Sequence, residues 1–476
     1  MKHQCLLGIG LLLCAGGPLT GCGPSREPLQ DLLTSGDLED INPDPAIVEV
    51  NLAAAPVDWD PGTGSLIHGV GFNGRVPGPT LRAKVGDEII VHFSNHMTEE
   101  TTIHWHGLRI PNGMDGVHVT QHPVQPSGTF EYRFIVPDSG YFWFHPHMEV
   151  DVQMERGLYA PLVVEDPADP VVARDHTLVL DDVLLGSDGQ IQPPQEGMDY
   201  VMGRLGNLLL VNGKTQQRMK MDAGTWQLWR IVNAANARHF DLQIEDHELL
   251  IVGSDGGYLP EPQSVDHLVI APGERYLVLV HVTGVPGRSF AVKSMPFELH
   301  AEDSMMGDMM GESDPLGDGP QVLWTLDYSD LESVTLPRPT LPAASLPTWT
   351  LGGEVAHTWE LRETMVSVSI DGEQYPNVPL VSLPLNAEVP YTFEIDNRTE
   401  MYHPFHIHGH LFQIVALDDE PVQGLGWKDT FNVPPNTKMT VVGLLDNPGL
   451  WLYHCHILEH EELGMMGELE VVAPTP

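Results

Sequence analysis

The sequence predicts an all-β fold of three Greek-key β-sandwich or barrel domains. The first observation behind this prediction is composition, since 47 glycines and 41 prolines among 476 residues make the chain rich in turns. The segments between these turns are short and rich in Val, Ile, Leu and Thr, which favours many short strands over long helices. The second observation is a pattern that occurs three times along the chain.

Each repeat consists of a glycine-containing turn, an apolar strand and a closing asparagine. The predicted strands and their asparagines are 89–93 with Asn95, 226–232 with Asn233, and 391–395 with Asn397. The repeats are well over about a hundred residues long, which indicates three copies of one β domain rather than a solenoid. The predicted domains are 46–167, 168–335 and 348–474. The second linker is marked by Pro337, Pro339, Pro342 and Pro347.

Single strands can also be predicted from the residue pattern. Apolar and polar residues alternate over 129–136, which is typical of a strand with one buried face. Apolar or β-branched runs at 88–93, 276–282 and 439–444 indicate more fully buried strands.

The N-terminal segment and the charge indicate an exported protein. Residues 6–15 are apolar but too few to span a membrane, and the segment Leu19-Thr20-Gly21-Cys22 resembles the lipobox of bacterial lipoproteins. That resemblance implies a signal peptide at 1–21, a lipid on Cys22, a tether at 22–45, and a location in the cell envelope. In a Gram-negative cell this location is the periplasm or the outer membrane. The alternative to a lipoprotein signal is an ordinary signal peptide without a lipid on Cys22. The net charge of −43 excludes nucleic acid and would attract cations.

Cysteine usage points to a metal. Of the four cysteines, Cys5 and Cys14 would leave with the signal peptide and Cys22 would carry the lipid, so the folded body keeps one thiol, Cys455. A lone thiol in an oxidising compartment needs a reason, and metal ligation is one.

Four histidine-rich clusters carry the chemistry. They are His104-Trp105-His106-Gly107, His145-Pro146-His147, His403-Pro404-Phe405-His406-Ile407-His408-Gly409-His410, and His454-Cys455-His456 with His460 and Met465. The chain has five His-x-His pairs, where 24 histidines would give about one by chance. Because strand residues two apart share a face, each pair can present two imidazoles to one site. In His454-Cys455-His456 the thiol would face the other side, so one strand could serve two metal sites.

The set His403, Cys455, His460 and Met465 combines two imidazoles, a thiolate and a thioether, which are the ligands of a blue copper centre. At these motifs the sequence resembles the three-domain multicopper oxidases, a group with cupredoxin-like domains that contains laccases and periplasmic cuprous oxidases. The resemblance covers nearly all of the predicted mature chain. It implies four copper ions: one of type 1, one of type 2 and two of type 3.

The resemblance also assigns the ligands. It implies that His403, Cys455, His460 and Met465 hold the type 1 copper, and that His104 and His406 hold the type 2 copper. For the type 3 pair it implies the six residues His106, His145, His147, His408, His454 and His456. The second repeat has no His-x-His pair and is expected to be a spacer.

The implied reaction is oxidation of a substrate at the type 1 copper, electron transfer through Cys455, and reduction of O2 to water. Water formation needs protons, and by motif position Asp115 and Glu461 resemble the proton-relay acids of the family. The alternative is that both are ordinary surface or turn carboxylates. We expect the protein to be a monomer.

The substrate is predicted from a methionine-rich acidic segment that contains Met305, Met306, Met309 and Met310. Thioethers suit Cu(I), so oxidation of Cu(I) for copper tolerance is the main hypothesis. A phenol-oxidising laccase with an incidental methionine loop is the alternative enzyme. A catalytically silent cupredoxin scaffold or copper-binding protein is the alternative of another class. Asp429 either helps an electron donor to dock or caps a turn.

Overall fold

The computed structural model describes seven stretches of the chain. Of the predicted features, the signal peptide, Cys22 and the four methionines from Met305 to Met310 lie outside them. The described stretches are almost entirely β, as predicted, and none of their helices is long and apolar enough to cross a membrane. The described residues are 36–194, 197–283, 286–301, 314–328, 335–349, 351–422 and 426–473.

The first sandwich packs two four-stranded sheets around one core. One sheet has the order β2-β1-β4-β6, formed by β1 (Ile47–Trp59), β2 (Ile67–Phe72), β4 (Glu88–Asn95) and β6 (Thr129–Ile135). The other has the order β3-β8-β7-β5, formed by β3 (Leu81–Lys84), β5 (His104–His106), β7 (Gly140–His145) and β8 (Ala160–Glu165). Strand β6 alternates between exposed and buried residues along its second half, which agrees with the predicted half-buried strand.

The second sandwich contains the described strands of residues 174–328. Its larger sheet has the order β10-β9-β12-β17-β14-β15, formed by β9 (Arg174–Val183), β10 (Leu208–Val211), β12 (Trp226–Asn233), β14 (Leu249–Ser254), β15 (Gly257–Val265) and β17 (Arg275–His281). Its smaller sheet has the order β11-β19-β18-β13-β16, formed by β11 (Gln217–Met221), β13 (Phe240–Ile244), β16 (Leu268–Ile270), β18 (Ser289–Met295) and β19 (Gln321–Tyr328). Between the sheets, Trp229 packs on Trp324 with ring centroids 5.4 Å apart.

The third sandwich repeats this plan. One sheet has the order β21-β20-β23-β28-β25-β26, formed by β20 (Val355–Thr364), β21 (Ser367–Ile370), β23 (Asn386–Asn397), β25 (Phe412–Leu417), β26 (Glu420–Pro421) and β28 (Thr437–Leu445). The other has the order β22-β30-β29-β24-β27, formed by β22 (Val381–Pro384), β24 (His403–Ile407), β27 (Thr430–Val433), β29 (Gly449–Cys455) and β30 (Met466–Val472). Its core contains Trp359, stacked on Phe393 at 5.0 Å.

The asparagine repeat corresponds to one structural device used three times. In each sandwich the first strand pairs in parallel with the strand that ends in the repeated asparagine: β1 with β4, β9 with β12, and β20 with β23. Each asparagine is buried, its Oδ1 accepts the N–H two residues ahead, and its Nδ2 donates to two or more backbone carbonyls in loops or at strand ends. The side chain therefore satisfies the buried backbone of the loop that leads to the next strand.

Short helices lie beside the histidine motifs. They are α1 (Val150–Glu155), α2 (Met198–Met202), α3 (Leu458–Glu462) and a 3-10 turn (Asn112–Met114). Helix α3 begins three residues after Cys455 and carries both His460 and Glu461. Because consecutive helical residues point about 100° apart, these two side chains can serve different sites.

Candidate metal centre

Four short strands bring the predicted ligands together. Strand β5 pairs with β7 so that His104 lies opposite His145, and β24 pairs with β29 so that His406 lies opposite His454. The first pair belongs to the first sandwich and the second pair to the third. The site is therefore built at the contact between these two sandwiches.

Eight histidines form one buried cluster, in which no imidazole-bearing residue is more than 5% exposed. Two triads can be distinguished, and within each the ligand nitrogens lie within 4.8 Å of one another. The triads are His106, His145 and His456, and His147, His408 and His454. The remaining two histidines, His104 and His406, group with His106 within the same distance. Each triad combines residues of the first and third sandwiches.

Hydrogen bonds to backbone carbonyls fix which nitrogen faces the cluster in His104, His145 and His406. The Nδ1–H of His104 donates to the carbonyl of Asp115 at 2.9 Å, and that of His145 donates to the carbonyl of Pro146 at 2.8 Å. The Nδ1–H of His406 donates to the carbonyl of Asp429 at 2.9 Å. Since a carbonyl only accepts, the proton of a neutral ring sits on Nδ1 and the Nε2 lone pair is free for a metal.

A second, smaller group surrounds Cys455. Its Sγ lies 3.4 Å from Nδ1 of His403 and 3.5 Å from Nδ1 of His460. The other ring nitrogens are held by Thr399 Oγ1 at 2.9 Å and by the carbonyl of Val201 at 2.9 Å, respectively. The carbonyl of the buried Met465 accepts the N–H of Cys455 at 3.0 Å, so the predicted fourth residue lies beside the group.

The two groups share one strand end. His454 and His456 belong to the eight-histidine cluster, and Cys455 between them belongs to the second group. This is the arrangement expected from strand alternation, in which successive side chains point to opposite faces.

Both predicted acids lie against the histidine cluster. Asp115 approaches Nδ1 of His408 at 2.9 Å and Nδ1 of His104 at 3.2 Å. Glu461 approaches Nδ1 of His454 at 3.0 Å and Nε2 of His147 at 3.4 Å. Neither is a surface carboxylate, because Asp115 is 1% and Glu461 5% exposed.

The electrostatics of the cluster favour a neutral imidazole at His145, His408 and His456 and an ionised carboxylate at Glu461. Burial, together with neighbouring imidazoles, lowers the pKa of His145, His408 and His456 well below its usual value. Burial also lowers the pKa of His454, but the Glu461 carboxylate outweighs that effect and the pKa is raised. Burial raises the pKa of Glu461, but His454 and His147 outweigh it and bring the pKa to about 2. Neutral imidazoles are the form that binds metals.

Asp429 does not lie where an electron donor could dock, so that prediction needs correction. The residue is 1% exposed, and both of its carboxylate oxygens lie 2.6 Å from the guanidinium of Arg275. Its Oδ1 is 3.2 Å from Nε2 of His106, which places it beneath the histidine cluster. Arg275 was not found by sequence reasoning, because its partner is 154 residues away in the chain.

Buried imidazoles grouped in this way, with one thiol beside two further imidazoles, form a site for several transition-metal ions. Three segments of the chain match the multicopper oxidase family, at residues 54–169, 179–304 and 343–474. The chain is also 32% identical over 463 residues to a multicopper oxidase of Mycobacterium tuberculosis, covering 89% of this chain and 87% of that protein. The chain therefore belongs to the multicopper oxidase family, whose members are copper-dependent oxidoreductases.

Solved structures agree with this assignment. A laccase from Pediococcus acidilactici has a TM-score of 0.80 and 26% sequence identity, over 94% of both chains. A multicopper oxidase from Campylobacter jejuni, described as a metallo-oxidase, has a TM-score of 0.78 and 27% identity, over 92% of this chain and 94% of that one. These likenesses support cupredoxin-like domains, as the sequence predicted.

Proposed function

We propose that the protein oxidises a reduced substrate one electron at a time at the Cys455 group and reduces O2 to water at the eight-histidine cluster. The observation that carries this proposal is the strand end His454-Cys455-His456, because it contributes to both groups. Cys455 is joined to each of these two histidines by a single peptide bond, and this short connection between a donor site and an acceptor site suits electron transfer.

The residues fit copper. Among the described residues, His104 Nε2, His406 Nε2 and both ring nitrogens of His456 are buried without a hydrogen-bond partner. An unsatisfied buried acceptor costs about 1–3 kcal/mol, and a bound metal ion would remove that cost. Burial raises the pKa of the Cys455 thiol, so a soft metal ion is needed to hold it as a thiolate. Nitrogen and thiolate donors select copper over magnesium or calcium.

We assign four copper ions to these residues. The type 1 ion would be held by His403, Cys455, His460 and Met465, and the type 2 ion by His104 and His406. The two type 3 ions would be held by the two triads. Copper bound in this way would supply one-electron transfer at the Cys455 group and O2 reduction at the cluster.

The protein itself would supply insulation and protons. Residues 454–456, which would carry the electron, are fully buried and so kept from bulk water. Glu461 Oε2 lies 3.0 Å from Nδ1 of His454, and its Oε1 lies 3.4 Å from Nε2 of His147, so a proton arriving at this carboxyl would be next to the cluster. Asp115 occupies the equivalent position against His408 and His104. We propose that both carboxyls pass protons to the oxygen atoms that become water.

We propose Cu(I) as the substrate. Four Cu(I), one O2 and four protons give four Cu(II) and two waters, which balances the reaction. The segment with Met305, Met306, Met309 and Met310 follows Ala301, whose N–H donates to the carbonyl of Glu400 at 2.7 Å, and His300 pairs with Met401. Ala301, the last described residue before this segment, therefore lies beside Glu400, three positions before His403 in the sequence. The net charge of −43 would also attract a cation.

The test is oxygen consumption by the copper-loaded protein with Cu(I) and with a phenol. A variant with all four methionines replaced by alanine is compared with Met365→Ala, which changes a methionine that is 55% exposed in the third sandwich. The proposal expects Cu(I) to be the faster substrate and the fourfold variant to lose that preference, while Met365→Ala resembles the wild type. Faster phenol turnover with no effect of the fourfold variant would identify a laccase. Failure to bind copper would identify a silent scaffold.

We also propose that the protein is exported and anchored by a lipid on Cys22, on the strength of the lipobox-like segment 19–22. Substitution Cys22→Ala should move the protein from the membrane fraction to the soluble fraction. An unchanged distribution would favour an ordinary signal peptide.

A further inference from the structure

The second sandwich provides none of the proposed copper ligands, yet one of its turns reaches the histidine cluster. The turn between β16 and β17 contains Gly273 and Glu274 and leads directly into Arg275. All three lie against residues of the third sandwich, and Arg275 also contacts the first. The middle sandwich is therefore more than the spacer that the sequence suggested.

Arg275 binds the Asp429 carboxylate through two guanidinium nitrogens. Its Nη1 lies 2.6 Å from Oδ1 and its Nη2 lies 2.6 Å from Oδ2, which is the two-pronged geometry of a strong guanidinium–carboxylate pair. Arg275 Nε also donates to the carbonyl of Tyr141 in β7 at 3.2 Å. One side chain thus connects all three sandwiches.

Asp429 in turn holds two rings of the cluster. Its Oδ1 accepts from Nε2 of His106 at 3.2 Å, and its backbone carbonyl accepts from Nδ1 of His406 at 2.9 Å. The two rings stack at 3.8 Å with an interplanar angle of 11°. Because a carboxylate only accepts, the proton of the neutral His106 ring lies on Nε2. Its Nδ1 then faces Nε2 of His145 at 3.4 Å.

Further buried charges fix the pair in place. Asp255 accepts the backbone N–H of Arg275 at 2.8 Å and lies 3.2 Å from the ammonium of Lys428, which also lies 2.8 Å from Glu274. The network contains two cations and three carboxylates, none more than 3% exposed, so each depends on the others for compensation.

Two glycines show how closely this network is packed against the ligands. A Cβ on Gly107, which follows His106, would lie 2.2 Å from Arg275 Nη2 and 2.7 Å from Asp429 Oδ2. A Cβ on Gly273 would lie 2.8 Å from the ring of His456. The Arg275 and Asp429 side chains therefore fill the space beside Gly107, and the turn at Gly273 lies against the ring of His456.

We propose that Arg275 is a positioning residue for the eight-histidine cluster, acting through Asp429 on His106 and His406. The middle sandwich then completes the oxygen-reducing site without binding metal. This inference rests on the proposed function, since it assumes that the cluster holds copper. The competing explanation is that the pair only joins the sandwiches.

A matched control is available within the second sandwich. Arg230 is 1% exposed and makes a two-pronged pair with Asp175, with contacts of 2.9–3.1 Å. Arg230→Gln therefore removes a comparable buried guanidinium with no contact to the histidine cluster among the described residues.

The experiment compares Arg275→Gln, Arg275→Lys and Arg230→Gln with the wild type. Copper content is measured by titration of the copper-free protein, and the type 1 and type 2 signals are recorded by electron paramagnetic resonance. We expect both Arg275 variants to keep the type 1 signal, to alter the type 2 signal, and to bind cluster copper about 10- to 100-fold more weakly. Arg230→Gln should resemble the wild type.

Arg275→Lys keeps the positive charge but loses the two-pronged contact. If Arg275→Gln does not fold, Arg275→Lys still tests whether Arg275 positions the cluster. Wild-type type 2 signals and wild-type affinity in Arg275→Lys would overturn the inference, as would equal copper loss in Arg230→Gln. A wild-type protein without copper signals would instead refute the proposed function.

Discussion

Replacing Asn233 by alanine tests the asparagine device in the sandwich that lacks proposed ligands. This residue is fully buried, and its Oδ1 accepts the N–H of Ala235 at 2.9 Å. Its Nδ2 donates to the carbonyls of Arg238 at 2.7 Å and Ile270 at 2.8 Å. Alanine removes three hydrogen bonds and leaves three backbone groups buried without them.

The expected loss is about 3 kcal/mol in the free energy of unfolding, at about 1 kcal/mol for each hydrogen bond removed. Asn233→Asp should be worse than alanine, because a carboxylate oxygen would replace the amide donor against two carbonyl oxygens and bring a buried charge. The predicted order of stability is therefore wild type, then Asn233→Ala, then Asn233→Asp.

The assay is urea unfolding of the copper-free protein, followed by the fluorescence of buried tryptophans such as Trp229 and Trp324. Asn207→Ala is the control: its side chain makes two hydrogen bonds to Leu185 but is exposed, so its loss should cost under about 1 kcal/mol. If Asn233→Ala were as stable as Asn207→Ala, or Asn233→Asp more stable than Asn233→Ala, the reasoning would be refuted.

Three further predictions concern the copper site. Cys455→Ser should abolish the blue absorption band and substrate oxidation, because a hydroxyl cannot replace the thiolate; retained oxidation would contradict the type 1 assignment. Glu461→Gln should slow O2 reduction by about tenfold or more, because the amide cannot carry a proton to the cluster. Anaerobic reduction of the type 1 copper should be unchanged in that variant, and stopped-flow absorbance measures both steps. Removing copper should lower the thermal unfolding midpoint, and copper at a hundredfold excess over its Kd should restore about 2.7 kcal/mol per site; equal midpoints would show that copper does not bind the folded state.

The sequence predicted the histidine clusters because their geometry is local. Residues two positions apart on a strand point to the same face regardless of the rest of the chain. The sequence alone therefore predicted that His104 and His106 face one site. The asparagine repeat could also be recognised from the sequence. Each asparagine ends a strand next to a loop whose buried backbone groups need hydrogen-bond partners. Both signals depend on short segments.

The Arg275 network could not be predicted in this way. Arg275 and Asp429 are separated by 154 positions and belong to different sandwiches, so their contact depends on how the domains pack. The expectation that Asp429 helps an electron donor to dock came from the resemblance of segment 426–430 to one near the type 1 site of bacterial multicopper oxidases. Such a resemblance does not show whether the side chain is exposed. The Asp429 carboxylate can be buried beside His106 because the Arg275 guanidinium pairs with it, and no local sequence pattern predicts that pairing.

The number of Cu(I) ions oxidised per O2 consumed tests the central claim most directly. It is measured by recording oxygen uptake and Cu(II) formation in the same sample of copper-loaded protein. Four Cu(I) per O2 with no hydrogen peroxide would agree with a donor site joined through Cys455 to a cluster that completes the reduction to water. Two Cu(I) per O2 with accumulating peroxide, or no oxygen uptake at all, would contradict it.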